Sequence, residues 1–261
     1  MGYDAAGQRV LITGGSSGIG AELAERFAAN GATVAITARR ADRLAQVLDR
    51  CRSTSPDSVS RVCDMSDVAQ VDDLAAWALE TLGGVDVLVN NAGIPLRRNV
   101  RALDRETVEH VTRINYLAPA QLTLALLPHM LDRGSGRIVN VASVAATLSS
   151  PGEAAYDATK AALAVFSEAL AVDVWDSGVK VLIVYPGVVD TELFTIPGND
   201  PLPAAVPKIP VSEFVDGVWD ALAQDVLQIY VPAWFGDLAK NKAQDPQTFL
   251  AGTAEWIRTN K

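Results

Sequence analysis

Residues 10–20 read V-L-I-T-G-G-S-S-G-I-G, and this stretch decides the fold. Val10 to Thr13 suit a buried strand, and they run without a break into a glycine-rich turn and then into a helical pattern over 19–30. Glycines there allow a tight turn and a close approach of backbone to ligand, while the free N–H groups and the dipole at a helix start attract phosphate. A strand, a loop holding Gly14, Gly18 and Gly20, and a helix predict a dinucleotide site, with Ser16, Ser17 and Ile19 lining it beside the glycines. The spacing is G-x-x-x-G-x-G, which differs from the commoner G-x-G-x-x-G.

Outward from this unit the same alternation repeats. Short apolar runs at 10–13, 33–37, 59–63, 85–90, 137–142, 179–185 and 227–231 predict seven strands, and helical patterns at 19–30, 42–52, 68–82, 104–131, 154–177 and 212–224 lie between them. Apolar runs joined by helices make βαβ units, here a doubly wound parallel sheet of about seven strands with helices on both faces. At 261 residues and 49% apolar, the chain is expected to form a single domain, 1–261. Two stretches break the rhythm. Residues 191–211 hold five prolines and predict a substrate loop or lid, and residues 233–261 form a C-terminal extension with a final helix expected around 246–259.

The net charge of −9 excludes a nucleic-acid partner, because phosphate binding needs a basic surface. An anionic ligand must therefore meet a local positive site. Two cysteines, Cys51 and Cys63, predict buried thiols rather than a disulfide framework. The first residues lack a basic and apolar leader, and no apolar run approaches the roughly 20 residues of a membrane span. A soluble, cytoplasmic protein is the expectation. No cluster of ligands predicts a metal.

Ligands of open α/β sheets bind outside the carboxyl ends of the strands. After the run 33–37 comes Ala38-Arg39-Arg40, with no acid at the strand end to hold a ribose 2′-hydroxyl. Planar guanidinium suits phosphate, so Arg39 and Arg40 predict a 2′-phosphate and hence NADP(H) rather than NAD(H); Asp42 fits the first turn of the next helix. Asp64, Asn90-Asn91-Ala92-Gly93, Ser143 and Pro186-Gly187 follow later runs and fall on the same edge. Ser143 opens S-V-A-A-T-L-S-S-P-G-E-A-A-Y-D-A-T-K, residues 143–160, whose last part starts an Ala-rich helix. Tyr156 and Lys160 lie four apart on one face of it. An ammonium beside a phenol draws its pKa down from about 10, making Tyr156 a candidate acid or base. His110 and His129 lie away from the strand ends and suit structural places, and Ser149 and Ser150 suit the turn before Pro151.

T-G-G-S-S-G-I-G from Thr13, N-N-A-G from Asn90, Asn115, Ser143, Y-D-A-T-K from Tyr156 and P-G-V-V-D-T from Pro186 together resemble the short-chain dehydrogenase/reductase family over nearly the whole chain. The resemblance implies a Rossmann-like fold, with Tyr156 as general acid in reduction and general base in oxidation. It implies that Ser143 hydrogen-bonds the carbonyl oxygen, that Lys160 binds the nicotinamide ribose and lowers the pKa of Tyr156, and that Asn115 holds a water linking Lys160 to solvent. Asp64 would contact the adenine. Asn91, Ala92 and Gly93 would line the ribose and central sheet, and Pro186, Gly187, Val189 and Thr191 would position the carboxamide end. A homodimer or homotetramer through the helices at 104–131 and 154–177 is also implied. The expected activity is NADP(H)-dependent interconversion of a carbonyl and an alcohol on a small, apolar substrate facing Val144, Leu148, Val188, Phe194 and Ile196. Dehydration or epimerisation on the same scaffold, and a non-catalytic regulatory role, stay open as alternatives.

Overall fold

The computed structural model describes residues 2–201 and 206–259; the part of the expected lid at 202–205, with Pro203, lies outside the described residues. The elements run β1 (Arg9–Thr13), α1 (Gly18–Ala29), β2 (Thr33–Ala38), α2 (Ala41–Arg52), β3 (Val59–Val62), α3 (Val68–Leu82), β4 (Val87–Asn90), α4 (Arg105–Thr112), α5 (Ala118–Arg133), β5 (Gly136–Val141), α6 (Ala145–Leu148), α7 (Ala154–Asp173), β6 (Val179–Pro186), α8 (Val211–Gln224), β7 (Gln228–Val231), α9 (Trp234–Gln244) and α10 (Pro246–Thr259). Short 3-10 turns stand at Val100–Ala102 and Glu192–Thr195.

The strands form one parallel sheet in the order β3-β2-β1-β4-β5-β6-β7. Because side chains alternate across a strand, an unbroken apolar run must bury both faces. It does so here. Val10 and Ile12, Val87 and Val89, and Leu182 and Val184 point to one core, shared with Leu23 and Phe27 of α1 and Phe214 and Val218 of α8. Leu11, Leu88, Ile138 and Ile183 point to the other, shared with Leu74 of α3, Leu122 and Leu126 of α5, and Leu170 of α7. The strand order turns back between β1 and β4, and that switch point opens a crevice at the carboxyl edge of the sheet.

Four local features differ from the sequence reading. The helix expected at 104–131 carries a π-helical turn, Arg113–Leu117, between α4 and α5, a bulge that periodicity alone does not reveal. The helix expected at 154–177 stops at Asp173, and residues 174–177 turn toward β6. The final helix expected around 246–259 is α10, but a further helix, α9, precedes it: α9 contains Gly236 and buries Phe235, so its pattern is weak in the sequence. The one-turn α6 after Ser143 was not expected either. Among the described residues no helix is long and apolar enough to cross a membrane. Cys51 and Cys63 are buried and unpaired, and burial pushes both thiols up to about 11.

Candidate active site

The glycine loop is fastened across the switch point by hydrogen bonds between the ends of β1 and β4. Thr13 Oγ1 accepts from the backbone N–H of Asn91 at 3.1 Å and of Ala92 at 3.0 Å, and Asn91 Nδ2 donates to Thr13 O at 2.9 Å. Gly14 and Gly18 take left-handed φ values of 72° and 54°, open to glycine at no steric cost. Ser17, the N-cap of α1, is extended and makes no side-chain hydrogen bond to the first turn. The leading N–H groups and the positive end of the α1 dipole thus face the crevice, with Ile19 and Gly20 just behind.

The positive site demanded by an acidic chain lies beside this loop. Arg40 donates to Ser16 Oγ at 3.3 Å and Ser17 Oγ at 2.5 Å. Arg43, one helical turn further on in α2, shares the carboxylate of Glu192 with Arg40. Arg39 is exposed at the strand end and acts electrostatically on Asp64. Burial pushes the Asp64 carboxyl up, but two hydrogen bonds from Ser66 and the charges of Arg39 and His110 outweigh it and hold it below the usual range. Asp42 sits in the first turn of α2.

Tyr156 and Lys160 share one face of α7, with the Lys160 ammonium 5.9 Å from the Tyr156 ring centre. Lys160 Nζ donates to Val141 O at 2.9 Å from a residue only 4% exposed. Asn115, fully buried in the π turn, accepts from Ile94 N at 2.9 Å and donates to Ile94 O at 3.0 Å and Thr159 Oγ1 at 3.2 Å. The bare backbone of Gly93 lies between them: a Cβ there would stand 3.3 Å from Asn115 Oδ1 and 3.4 Å from Lys160 Nζ. Beneath, Asn90 Nδ2 donates to Asn140 Oδ1 at 2.8 Å and Thr123 Oγ1 at 3.0 Å, and Asn140 Nδ2 donates to Ser167 Oγ at 2.7 Å. This buried chain of amides and hydroxyls ties α5 and α7 to β4 and β5, fixing the helix that carries Tyr156.

One expectation is corrected. The Tyr156 phenol lies above its ordinary value, not below it. Burial, then the Glu153 carboxylate, push Tyr156 well above its ordinary value, and the Ser143 hydroxyl opposes them only in part. The same desolvation lowers Lys160 to about 8, because a buried ammonium has little to stabilise its charge. Spacing identifies a pair one turn apart; it does not report the dielectric around the pair.

On the substrate side, Ser143 accepts from Ala145 N at 3.1 Å, and Val144 N donates to Pro186 O at 3.0 Å. Gly187 N donates to Val231 O at 2.8 Å, and Phe235 of α9 packs on Gly187. Val189 pairs with Ile209, so the segment leaving β6 returns on itself before α8, and Thr191 caps the 3-10 turn. Val144 is buried, Leu148, Val188 and Phe194 are half-buried, and Ile196 is exposed. Several residues here escaped the sequence reading. Arg97, 4% exposed, donates to Asp200 O at 2.8 Å and Phe194 O at 3.1 Å, and lies 5.3 Å from the Phe194 ring. Its Nη1 is 3.9 Å from Glu153, which burial pushes up to about 7. Asp157, next to Tyr156, is raised to about 8 by burial and by Glu153. Lys242 of α9 donates to Thr147 O and Ser149 Oγ, both at 2.7 Å, bracing the left-handed turn at Ser149. Arg40 and Arg43 at one-turn spacing were a legible signal; contacts of Arg97 and Lys242, made across about 100 residues of chain, were not.

These residues fit a dinucleotide. The uncapped start of α1 suits a pyrophosphate and the arginines suit a further phosphate, while a buried ammonium with three donors suits a ribose diol. The comparisons agree with a fold that binds a nicotinamide dinucleotide. A family model described as short chain dehydrogenase matches residues 8–198. A fatty acyl-CoA reductase of Mycobacterium tuberculosis is 38% identical over 205 residues, 77% of this chain and 70% of that protein. A short chain dehydrogenase of Pseudocercospora fijiensis is 39% identical over 191 residues, of which the chain covers only 61% of the relative's length. Among solved structures, a short-chain dehydrogenase from Sphingobium yanoikuyae in complex with NADPH superposes with a TM-score of 0.82 at 30% identity, over 92% of this chain and 95% of that one. A Burkholderia phymatum short chain dehydrogenase/reductase in complex with NAD superposes with a TM-score of 0.85 at 25% identity, over 94% and 96%. With a family model over most of the chain and relatives of this identity, the chain is a member of the short-chain dehydrogenase/reductase family of oxidoreductases.

Proposed function

We propose that this protein is an NADP(H)-dependent carbonyl reductase that also oxidises the corresponding alcohol, with the whole chain acting as one dinucleotide-binding unit, 1–261, in the cytoplasm as a homodimer or homotetramer. The observation that carries the reading is the placement of Tyr156, Ser143 and the buried Lys160 together at the carboxyl edge, beside a glycine loop flanked by arginines. The nicotinamide, when bound, supplies or accepts the hydride. Tyr156 gives its phenolic proton to the substrate oxygen in reduction, and Ser143 donates a hydrogen bond to the same oxygen, stabilising charge that develops there. A phenol holds its proton at neutral pH, the state a general acid needs in reduction.

Lys160 binds the ribose hydroxyls, and its charge offsets the field of Glu153 at Tyr156; Asn115 sets the geometry of Ile94 and Thr159 around it and orders a water toward solvent. Asp64 contacts the adenine, Asn91, Ala92 and Gly93 line the ribose, and Pro186, Gly187, Val189 and Thr191 hold the carboxamide end. Arg39 and Arg40 support NADP(H) over NAD(H), with Arg43 added to them. The segment 191–211 serves as a lid. Val144, Leu148, Val188 and Phe194 support an apolar substrate, and similarity to a protein named as a fatty acyl-CoA reductase adds long acyl carbonyls to the candidates. The test follows NADPH absorbance over fatty aldehydes, acyl thioesters, ketosteroids, retinal, quinones and diketones. Tyr156→Phe is expected to abolish turnover while leaving NADPH affinity within about twofold, since the phenol acts in the chemical step rather than in uniform binding. Equal turnover by the mutant would refute the role of Tyr156.

A further inference from the structure

Glu192, at the start of the 3-10 turn that follows β6, reaches the arginines at the other side of the crevice. Its Oε2 lies 2.9 Å from Arg40 Nη1, and Arg43 Nη1 approaches both carboxylate oxygens at 2.5 Å. The same Arg40 guanidinium touches Ser16 and Ser17 of the glycine loop. Thr191, the preceding residue, packs against that loop, since a Cβ on Gly18 would stand 3.0 Å from Thr191 Cγ2. An anionic group from the lid is therefore seated on the guanidinium pair that borders the phosphate-binding turn. Hydrogen bonds from Arg43 and then Arg40 hold this carboxyl at about 2, so it is ionised at every working pH.

We propose that Glu192 is a cofactor-specificity residue: its carboxylate occupies Arg40 and Arg43 as an internal stand-in for a ribose 2′-phosphate, which must displace it, whereas a nucleotide with a free 2′-hydroxyl leaves it in place. This rests on the NADP(H) reading above. A phosphate brings up to two charges and three acceptor oxygens against one charge and two oxygens, so it wins the arginines. The pairs it breaks are half-exposed, with Glu192 56%, Arg40 43% and Arg43 41% exposed in their side chains, and are correspondingly weak. Glu192 thus narrows the preference for NADP(H) without abolishing it. Displacement also releases the turn Glu192–Thr195 from the cofactor edge, so only the phosphorylated nucleotide loosens that turn.

Adenosine 2′,5′-bisphosphate and 5′-AMP differ only in the 2′-phosphate and serve as probes, titrated calorimetrically into wild type, Glu192→Gln and Arg40→Ala, with thermal unfolding confirming that each variant is folded. In Glu192→Gln the bisphosphate is expected to bind about three- to tenfold tighter, the worth of one or two exposed ion pairs, with 5′-AMP unchanged. The gain shrinks when ionic strength is raised to about 0.5 M. Amide exchange of 192–195 is expected to quicken with the bisphosphate and not with 5′-AMP. If Arg40→Ala abolishes discrimination while Glu192→Gln leaves bisphosphate affinity unchanged, the role of Glu192 is refuted and the NADP(H) reading survives. Weaker 5′-AMP binding in Glu192→Gln would make Glu192 a ribose ligand and also overturn the proposal. If wild type binds both probes equally and Arg40→Ala changes neither, the NADP(H) reading falls and the stand-in role falls with it.

Discussion

Gly20→Ala adds a single methyl group at the place where the loop, the first helix and the fourth strand meet. Gly20 is the last glycine of the loop and is buried in the first turn of α1. A Cβ there would stand 2.5 Å from Asn91 Nδ2 and 2.9 Å from the carbonyl carbon of Gly14, and closer still to its oxygen. Ordinary contact needs about 3.5–4.0 Å, so the overlap is roughly 1 Å. Neither neighbour can swing away, because one is backbone and the other is held by the hydrogen bond from Asn91 Nδ2 to Thr13 O at 2.9 Å. The start of α1 must move off the strand ends. Overpacking of this kind costs about 1–3 kcal/mol and a lost hydrogen bond about 1 kcal/mol more, while alanine returns about 1 kcal/mol of helix propensity.

The net loss is about 1–3 kcal/mol, which for a chain of this size lowers Tm by roughly 3–10 °C. Nucleotide binding should suffer more, at least about tenfold, because the N–H groups at the helix start are what move. The measurement is thermal unfolding with and without NADPH, together with NADPH titration. Gly252→Ala is the control, since a Cβ there meets nothing within 4 Å in α10, and it should be neutral or stabilising by up to about 1 kcal/mol. A Gly20→Ala protein that melts with wild type and binds NADPH equally well would refute the close-packing argument.

The carboxyls near Tyr156 make a pH prediction. Glu153 and Asp157 are raised to about 7 and about 8, so each contributes stability that is full below its unfolded pKa and is lost as pH rises through the folded value. Tm should therefore fall from about pH 5 to pH 8; Glu153→Gln should flatten that fall and shift the rising, acid-side limb of the oxidation profile to lower pH, and an unchanged slope would refute the assignment. Lys160 has the opposite sign, lowered to about 8 by burial: its cost is full below pH 8 and disappears as pH rises toward the ordinary lysine value. Lys160→Met should raise Tm of the nucleotide-free protein at pH 7, lose that advantage at alkaline pH and be inactive in NADPH turnover; a lower Tm at pH 7 would show that the hydrogen bond to Val141 outweighs desolvation.

By itself the sequence determined the sheet and the edge at which chemistry gathers. Seven strand runs and the helical patterns between them are local signals, and the inner runs had to bury both faces while the edge runs β3 and β7 stay partly exposed, so strand number, parallel direction and the strand-end positions of Asp64, Asn91, Ser143 and Pro186 followed from periodicity. The pairing of Tyr156 with Lys160 was likewise legible, because one helical turn fixes it. Tertiary structure alone decided what surrounds those groups. The π turn under Asn115, the Asn90–Asn140–Ser167 chain, Arg97 on the carbonyls of Phe194 and Asp200, and Glu192 on Arg40 and Arg43 join residues far apart in sequence. It also reversed the expected acidity of Tyr156. A pKa depends on burial and on every charge nearby, and a linear spacing records neither.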